Sequence, residues 1–382
     1  MVPFPDTKQP VLLIGNYPPD KQYSMQLYLL MIYEGLKSSG VYVDKLAPYP
    51  VLGRYVKGNK WIGYVDKFII FPKSLKKFFR LSNPSPLIHV CDHSNSMYLK
   101  TLEKSQTVLT CHDLIAIRSA SGEFFNQHTK YLGQLLQRLI KRNIPMADKV
   151  VCVSNSTKED LCRIYPKIDE KTRVVYSSFS KKFNVIDQNI SSISLEKKQI
   201  DFSLPFLLHV GNNAWYKNRS GVIEIYKRFL EKFRKFDLNL VLVGPELDES
   251  QKSYLENHSL STKVQCLNDV DHLTLEALYN LAEAFLFPSR YEGFGWPPLE
   301  AQCCGCPVVA SNEGSLREVL LESAFTADWD DVDAHVDNLG TLLENPGLKA
   351  QLIKQGFENV KRFNTESMIQ SLCEVYGELS VA

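Results

Sequence analysis

The chain has 382 residues, the length of two domains, and at 44% hydrophobic and 23% charged residues it can bury sizeable cores. Its 44 basic and 43 acidic residues nearly cancel, which argues against a broad polyanion-binding surface and against nucleic acid as a partner. No apolar run of about 18 residues suggests a transmembrane helix, "MVPFPDTKQP" does not read as a secretory signal, and the nine thinly spread cysteines read as reduced thiols of a cytoplasmic protein.

In chain order, short apolar runs alternate with amphipathic stretches, the pattern of a parallel sheet covered by helices on both faces. "PVLLIGN" is a buried strand ending in Gly15. A helix follows over Met25–Lys37, with Met25, Leu29, Ile32 and Leu36 on one face and Gly40 closing it. "PLIHVCD", "QTVLTCHD", "KVVCVSN" and "RVVYSSF" are further strands with polar residues at their ends. Between them, "FPKSLKKFFR", Phe71 to Arg80, mixes four cationic residues with aromatics. That is the composition of a helix on a membrane surface, and equally of a solvated amphipathic helix.

The rhythm is lost from Lys181 to Leu204, a polar, serine-rich stretch that reads as an inter-domain connection. "PFLLHVGNN" restarts it, followed by a helix over Gly221–Phe233 and the strands "LNLVLVGPE", "KVQCLND", "AEAFLFPS" and "CPVVASN". The last helix, Glu366 to Val381, puts Met368, Leu372, Val375, Tyr376 and Leu379 on one face, which must dock somewhere. Two doubly wound α/β halves are expected, residues 1–180 and 205–365.

In such sheets ligands bind beyond the carboxyl ends of the strands, so strand-end residues are the candidates. "SRYEGFGWPPLE" reads as an open loop that buries little apolar surface, its aromatics exposed, with a helix starting near Pro297. Gly293 and Gly295 allow a tight backbone whose amides suit a phosphate. Glu300, placed in the first helical turn, reads either as a dipole-compensating carboxylate or as an acceptor for ribose hydroxyls. Glu292 could accept sugar hydroxyls. Lys217, six residues after Gly211, is either a solvated surface lysine or a point charge for a diphosphate. His112 with Asp113, and Asp92 with His93, end neighbouring strands; they suit hydroxyl recognition and proton handling, or simple N-capping with a satisfied histidine behind. Cys303 and Cys306 form a CxxC with no second ligand pair, and the D-x-D triplets of "DWDDVD" look like a loop capping a helix near Val332. No metal site and no cofactor are expected.

These constellations, in this order, resemble the family 4 glycosyltransferases of the GT-B fold. "EGFGWPPLEAQCCGCPVVASNEGSLREV" looks like that family's E-x7-E signature, "HVGNNAWYKN" its glycine-to-lysine phosphate segment, and "VLTCHDL" its N-domain histidine strand end. The resemblance implies two Rossmann-like domains facing across a cleft, with the terminal helix, residues 366–382, crossing back onto the first. It implies that Glu300 binds the nucleotide ribose and Glu292 the donor sugar. Phe294 and Gly295 would contact sugar or phosphates, Lys217 would neutralise the diphosphate, and His112 would lie near the reacting carbon. Gly15, Gly211, Asn212 and Gly244 complete the donor side; Asn16, Tyr17, Asp92, His93 and Asp113 fall to the acceptor side. Relatives often carry an arginine where this chain has Gly211 or Asn212, and Arg219 or Arg290 are the substitutes at hand.

The implied activity is retaining transfer of a glucose- or mannose-type hexosyl group from a UDP- or GDP-sugar, without a metal, to a glycan, lipid or small-molecule hydroxyl. Monomer and homodimer both fit. The alternative is a catalytically silent GT-B protein that binds nucleotide or glycan. A nicotinamide-dependent oxidoreductase is disfavoured, because no G-x-G-x-x-G follows the first strand.

Overall fold

The computed structural model describes residues 9–55, 60–81, 86–124, 130–179, 183–196, 200 and 203–380. They form two compact units, residues 1–180 with 363–382, and residues 181–362. The expected connection from Lys181 to Leu204 lies partly outside the described residues.

Unit 1 is built on a parallel six-stranded sheet in the order β2-β1-β3-β4-β5-β6. Its strands are β1 Val11–Ile14, β2 Val43–Leu46, β3 Leu87–Val90, β4 Thr107–Cys111, β5 Lys149–Cys152 and β6 Thr172–Val174. β1, β3 and β4 are buried along their whole length, as strands covered on both faces must be. Unit 2 has a second parallel six-stranded sheet, ordered β12-β11-β10-β7-β8-β9. It comprises β7 Phe206–Val210, β8 Asn239–Val243, β9 Val264–Leu267, β10 Ala284–Phe287, β11 Val308–Ser311 and β12 Phe325–Ala327. Strand order reverses between β1 and β3 in the first sheet and between β7 and β10 in the second. Those two reversals open crevices at the carboxyl ends, where a ligand can reach backbone amides.

The helix Thr365–Ser380 belongs to unit 1. Its Met368, Ile369, Leu372, Val375 and Tyr376 are buried, each worth about 1.5–3 kcal/mol relative to exposure. Gly35, on the helix Tyr23–Ser38, makes room for it: a Cβ there would lie 2.5 Å from Ile369 Cγ1. Below this contact, His89 Nδ1 meets the Tyr376 hydroxyl at 2.7 Å and His89 Nε2 meets Thr110 Oγ1 at 2.7 Å.

The stretch expected to be an irregular connection is partly helical, over Gln188–Glu196, and packs on the helix His272–Leu281 of unit 2. Two of its backbone N–H groups are held by side chains of that helix: Asn184 donates to Glu276 at 2.8 Å and Ile186 to Asn280 at 2.9 Å. Phe183 packs edge-on against Tyr279, with ring centroids 5.7 Å apart. The helix Phe71–Leu81 turns Phe71 and Leu75 into the unit 1 core, with Phe79 packed against it and Phe78 exposed. Its apolar face is therefore largely spent on the fold. Among the described residues no helix is long and apolar enough to cross a membrane.

Candidate functional site

In unit 2 the loops after β7 and β10 are laced together. The Arg290 N–H donates to the Tyr216 carbonyl at 2.7 Å, and Asn218 Nδ2 donates to the Pro288 carbonyl at 2.9 Å. Asn218 adopts the left-handed conformation at φ 53°, ending a one-turn helix over Trp215–Lys217. Asn tolerates that conformation better than most residues. The lacing brings Lys217 Nζ to 2.8 and 3.0 Å from the two Glu292 carboxylate oxygens. Glu292 is 6% exposed, and its carbonyl accepts from both the N–H and the hydroxyl of Ser315 at 3.1 Å. Gly314, at φ 57°, permits this approach, since a Cβ there would sit 2.6 Å from the Glu292 carbonyl oxygen.

Gly211 and Gly244 meet back to back; a Cβ on Gly244, at φ 149°, would strike the Gly211 carbonyl oxygen. Asn212 caps its own loop, accepting the Ala214 N–H at 3.0 Å. The open-loop expectation for "SRYEGFGWPPLE" is overturned: Tyr291, Glu292, Gly293, Phe294 and Gly295 are buried, folded under the turn that carries Gly314 and Leu316. Glu300 is also displaced from expectation. The helix runs Trp296–Cys303, preceded by Gly295 at φ 98°, so Glu300 lies in its second turn. There the dipole at the helix start no longer explains it. Its Oε2 instead accepts the hydroxyl of buried Tyr279 at 3.1 Å.

The two arginines considered as substitutes are already engaged. Arg219 is 3% exposed and donates to the Pro245 carbonyl at 2.6 Å and to Asn213. Arg290 lies 4.4 Å from the Trp329 ring and bonds Asn218 Oδ1 at 3.3 Å. His209 was not foreseen. Its Nδ1 contacts the Leu286 carbonyl at 2.9 Å, and burial lowers its pKa to about 3. Asn218, Gly314, Ser315 and Tyr279 were also missed; the signal for the first and third was polar residues flanking a helix start beside a strand end.

In unit 1, Asn16 Nδ2 donates to Asp92 at 2.5 Å and Asn95 Nδ2 donates to Asn16 at 3.1 Å. His93 Nδ1 lies 3.5 Å from Asp92. Asp92 accepts the Ser94 N–H at 2.8 Å and Asp113 the Ile115 N–H at 2.9 Å. Both aspartates therefore cap turns, while the buried His93 Nδ1 finds no hydrogen-bond partner among the described residues. Burial acts to raise the Asp92 carboxyl, but His93, His112 and its hydrogen bonds outweigh it and hold it below the usual range. His112 Nε2 contacts the Cys91 carbonyl at 2.8 Å, and the Tyr28 ring stands edge-on to it at 4.5 Å. Burial lowers the His112 pKa, only partly opposed by Asp92, so the ring is neutral near pH 7. A neutral ring that gives its Nε2 proton to a carbonyl keeps Nδ1 as an acceptor. Gly15 is needed for packing: a Cβ would lie 2.5 Å from Leu29 Cδ2. Tyr17 turns inward, 3% exposed, its hydroxyl on Asp66 at 2.9 Å. Among the described residues no group of His, Cys, Asp and Glu is placed to hold a metal ion.

Two family models match in chain order: "Glycosyltransferase Family 4" over residues 30–179 and "Glycosyl transferases group 1" over residues 192–359. O-antigen chain mannosyltransferase B of Escherichia coli is 26% identical over 290 residues, 74% of this chain and 73% of that protein. The serotype-specific mannosyltransferase WbdA of Escherichia coli is 30% identical over 225 residues, 56% of this chain but only 26% of WbdA. Among solved structures, sucrose-phosphate synthase from Thermosynechococcus elongatus superposes with a TM-score of 0.75 at 20% identity, over 98% of this chain and 99% of that one. Anabaena Alr3699/HepE in complex with UDP and glucose gives 0.72 at 15% identity, over 97% and 100%. The two structural likenesses bear on the fold alone. With both halves matched in order and both sheets of the expected topology, the chain has the GT-B fold and belongs to the group 1 glycosyltransferases of family 4.

Proposed function

We propose that the chain is a retaining hexosyltransferase that moves a glucose- or mannose-type group from a UDP- or GDP-linked sugar to an acceptor hydroxyl. The observation that carries this reading is the Lys217–Glu292 pair at the strand reversal of the second sheet, 2.8 Å apart and largely out of water. A buried lysine and carboxylate that neutralise each other can be exchanged for a ligand of complementary charges: the diphosphate takes the lysine and sugar hydroxyls take the carboxylate. The mannosyltransferase relatives favour a mannose-type donor.

In the reaction the bond from the sugar C1 to the phosphate oxygen breaks, and a bond from C1 to the acceptor oxygen forms on the same face. The acceptor's proton passes to the leaving phosphate oxygen. Negative charge grows on the diphosphate, where Lys217 and the amides around Gly293 to Gly295 stabilise it by about 3–4 kcal/mol per well-placed donor. This assigns charge neutralisation to the protein rather than to a cation. His112 offers a neutral acceptor nitrogen to a donor-sugar hydroxyl, and Glu300 accepts ribose hydroxyls.

A thermal-shift screen with UDP, GDP, ADP and their hexose conjugates tests the reading, because a ligand that binds only the folded chain raises its midpoint. One base should stand out, and its sugar conjugate should turn over. No shift with any of them sinks the proposal; a shift without turnover for any acceptor leaves the silent binding protein.

A further inference from the structure

The turn over residues 49–55 follows β2 and displays Tyr49, Leu52 and Tyr55 at 67%, 42% and 73% exposure. The Arg54 guanidinium lies 4.7 Å from the Tyr55 ring centroid. The turn that carries these rings is fastened from beneath. Asp66, 1% exposed, accepts the Leu52 and Gly53 N–H groups and the Tyr17 hydroxyl, each at 2.9 Å. A neutral amide has one acceptor oxygen; the carboxylate has two, and uses both. Asp66 opens a π-helical turn, Asp66–Ile70, a bulged register that is frequent at functional sites. Gly53 and Gly63 leave space for the arrangement, since a Cβ would come to 2.6 Å from the Tyr17 hydroxyl or 3.2 Å from its ring. Tyr17 follows Asn16, which bonds Asp92 at the strand reversal of the first sheet. The fastened turn is thus continuous with the polar end of that sheet.

We propose that residues 49–55 form a carbohydrate-binding lip that recognises a glycan acceptor, with Asp66 and Tyr17 as the positioning residues that hold it. This rests on the glycosyl transfer proposed above and names the acceptor class. Tyrosine suits the task because a rigid ring with two torsions offers much contact area at small entropic cost. The C–H face of a pyranose covers the ring, whose face carries negative charge density, while its hydroxyls stay hydrated or take hydrogen bonds from Arg54. An anionic lipid surface would need free cations beside the apolar groups. Among the described residues around the turn, Lys67 is paired with Asp20 at 2.6 Å and Arg54 is stacked on Tyr55.

The test uses saturation-transfer NMR of the full chain with α-linked mannose and glucose trisaccharides, alongside nucleotide thermal shifts and co-sedimentation with phosphatidylglycerol vesicles. At least one trisaccharide should bind, and Tyr55→Ala and Tyr49→Ala should each weaken it about tenfold, the loss typical of an aromatic anchor. Asp66→Asn should weaken it similarly and Tyr17→Phe less, both with the nucleotide shift unchanged, which a general folding defect would not spare. Three results would overturn the lip: no trisaccharide bound by a chain that still binds nucleotide; unaltered trisaccharide binding in the Tyr49→Ala/Tyr55→Ala double variant; or vesicle binding abolished in that variant, which makes the turn a lipid contact. Trisaccharide binding without any nucleotide shift keeps the lip and removes the transfer reaction.

Discussion

Lys217 and Glu292 are each other's main source of charge compensation, so either one removed alone strands the other. Lys217→Ala should cost about 3 kcal/mol of unit 2 stability, as breaking buried pairs does, and lower turnover about 100-fold. Lys217→Met with Glu292→Gln should recover most of the unfolding midpoint and none of the turnover. Denaturation and steady-state kinetics on the same samples separate the two effects. Glu300→Ala should raise the donor KM about tenfold, an effect of about 1.4 kcal/mol, with little change in kcat. Because it also leaves the buried Tyr279 hydroxyl unpaired, Glu300→Gln is the cleaner variant. Kinetics unchanged in both Lys217 and Glu300 variants would remove these roles. Gly314→Ala strains a left-handed position and presses on the Glu292 carbonyl; activity should fall although no ligand-facing atom is altered.

At the scale of elements, the sequence made the most buried strands easy to find, because β1 and β10 are unbroken apolar runs and β3 and β7 are interrupted by a single histidine each. β2 and β12 escaped. "VDKL" and "FTA" are short edge strands, half exposed and mixed in character, and their pairing is decided by the neighbour rather than by their own pattern. The E-x7-E loop was legible as a site, yet its burial was not, since what covers it arrives from β11 and the Gly314 turn. For the same reason Asp66 and His209 left no local trace: each is defined by partners far away in sequence. The helix Thr365–Ser380 was legible from its single apolar face. Its seating can be tested at Gly35, where Gly35→Val should destabilise unit 1 by about 1–3 kcal/mol through overpacking. Tyr376→Phe should cost about 1–3 kcal/mol by leaving a buried nitrogen of His89 without its partner. An unfolding midpoint unmoved in both variants would mean that the helix is not seated this way.

For the whole molecule, buried neutral histidines link stability to pH. Burial lowers His89 and His209 to about 3, and an unfolded histidine titrates near 6.5. Between those values the unfolded chain binds protons that the folded chain refuses. Stability is therefore complete above about pH 6.5 and falls below it, by about 2 kcal/mol per histidine at pH 5. Unfolding midpoints at pH 7.5 and 5 would show it, and equal midpoints would contradict neutral burial. The return of residues 363–382 to unit 1 has a bearing on how the chain is made. Synthesis runs from one unit into the other before supplying the segment that the first still lacks. A nascent chain must therefore carry Gly35 and His89 uncovered throughout the making of unit 2, so early stop codons in the last helix should injure the amino-terminal half and spare the half beside them.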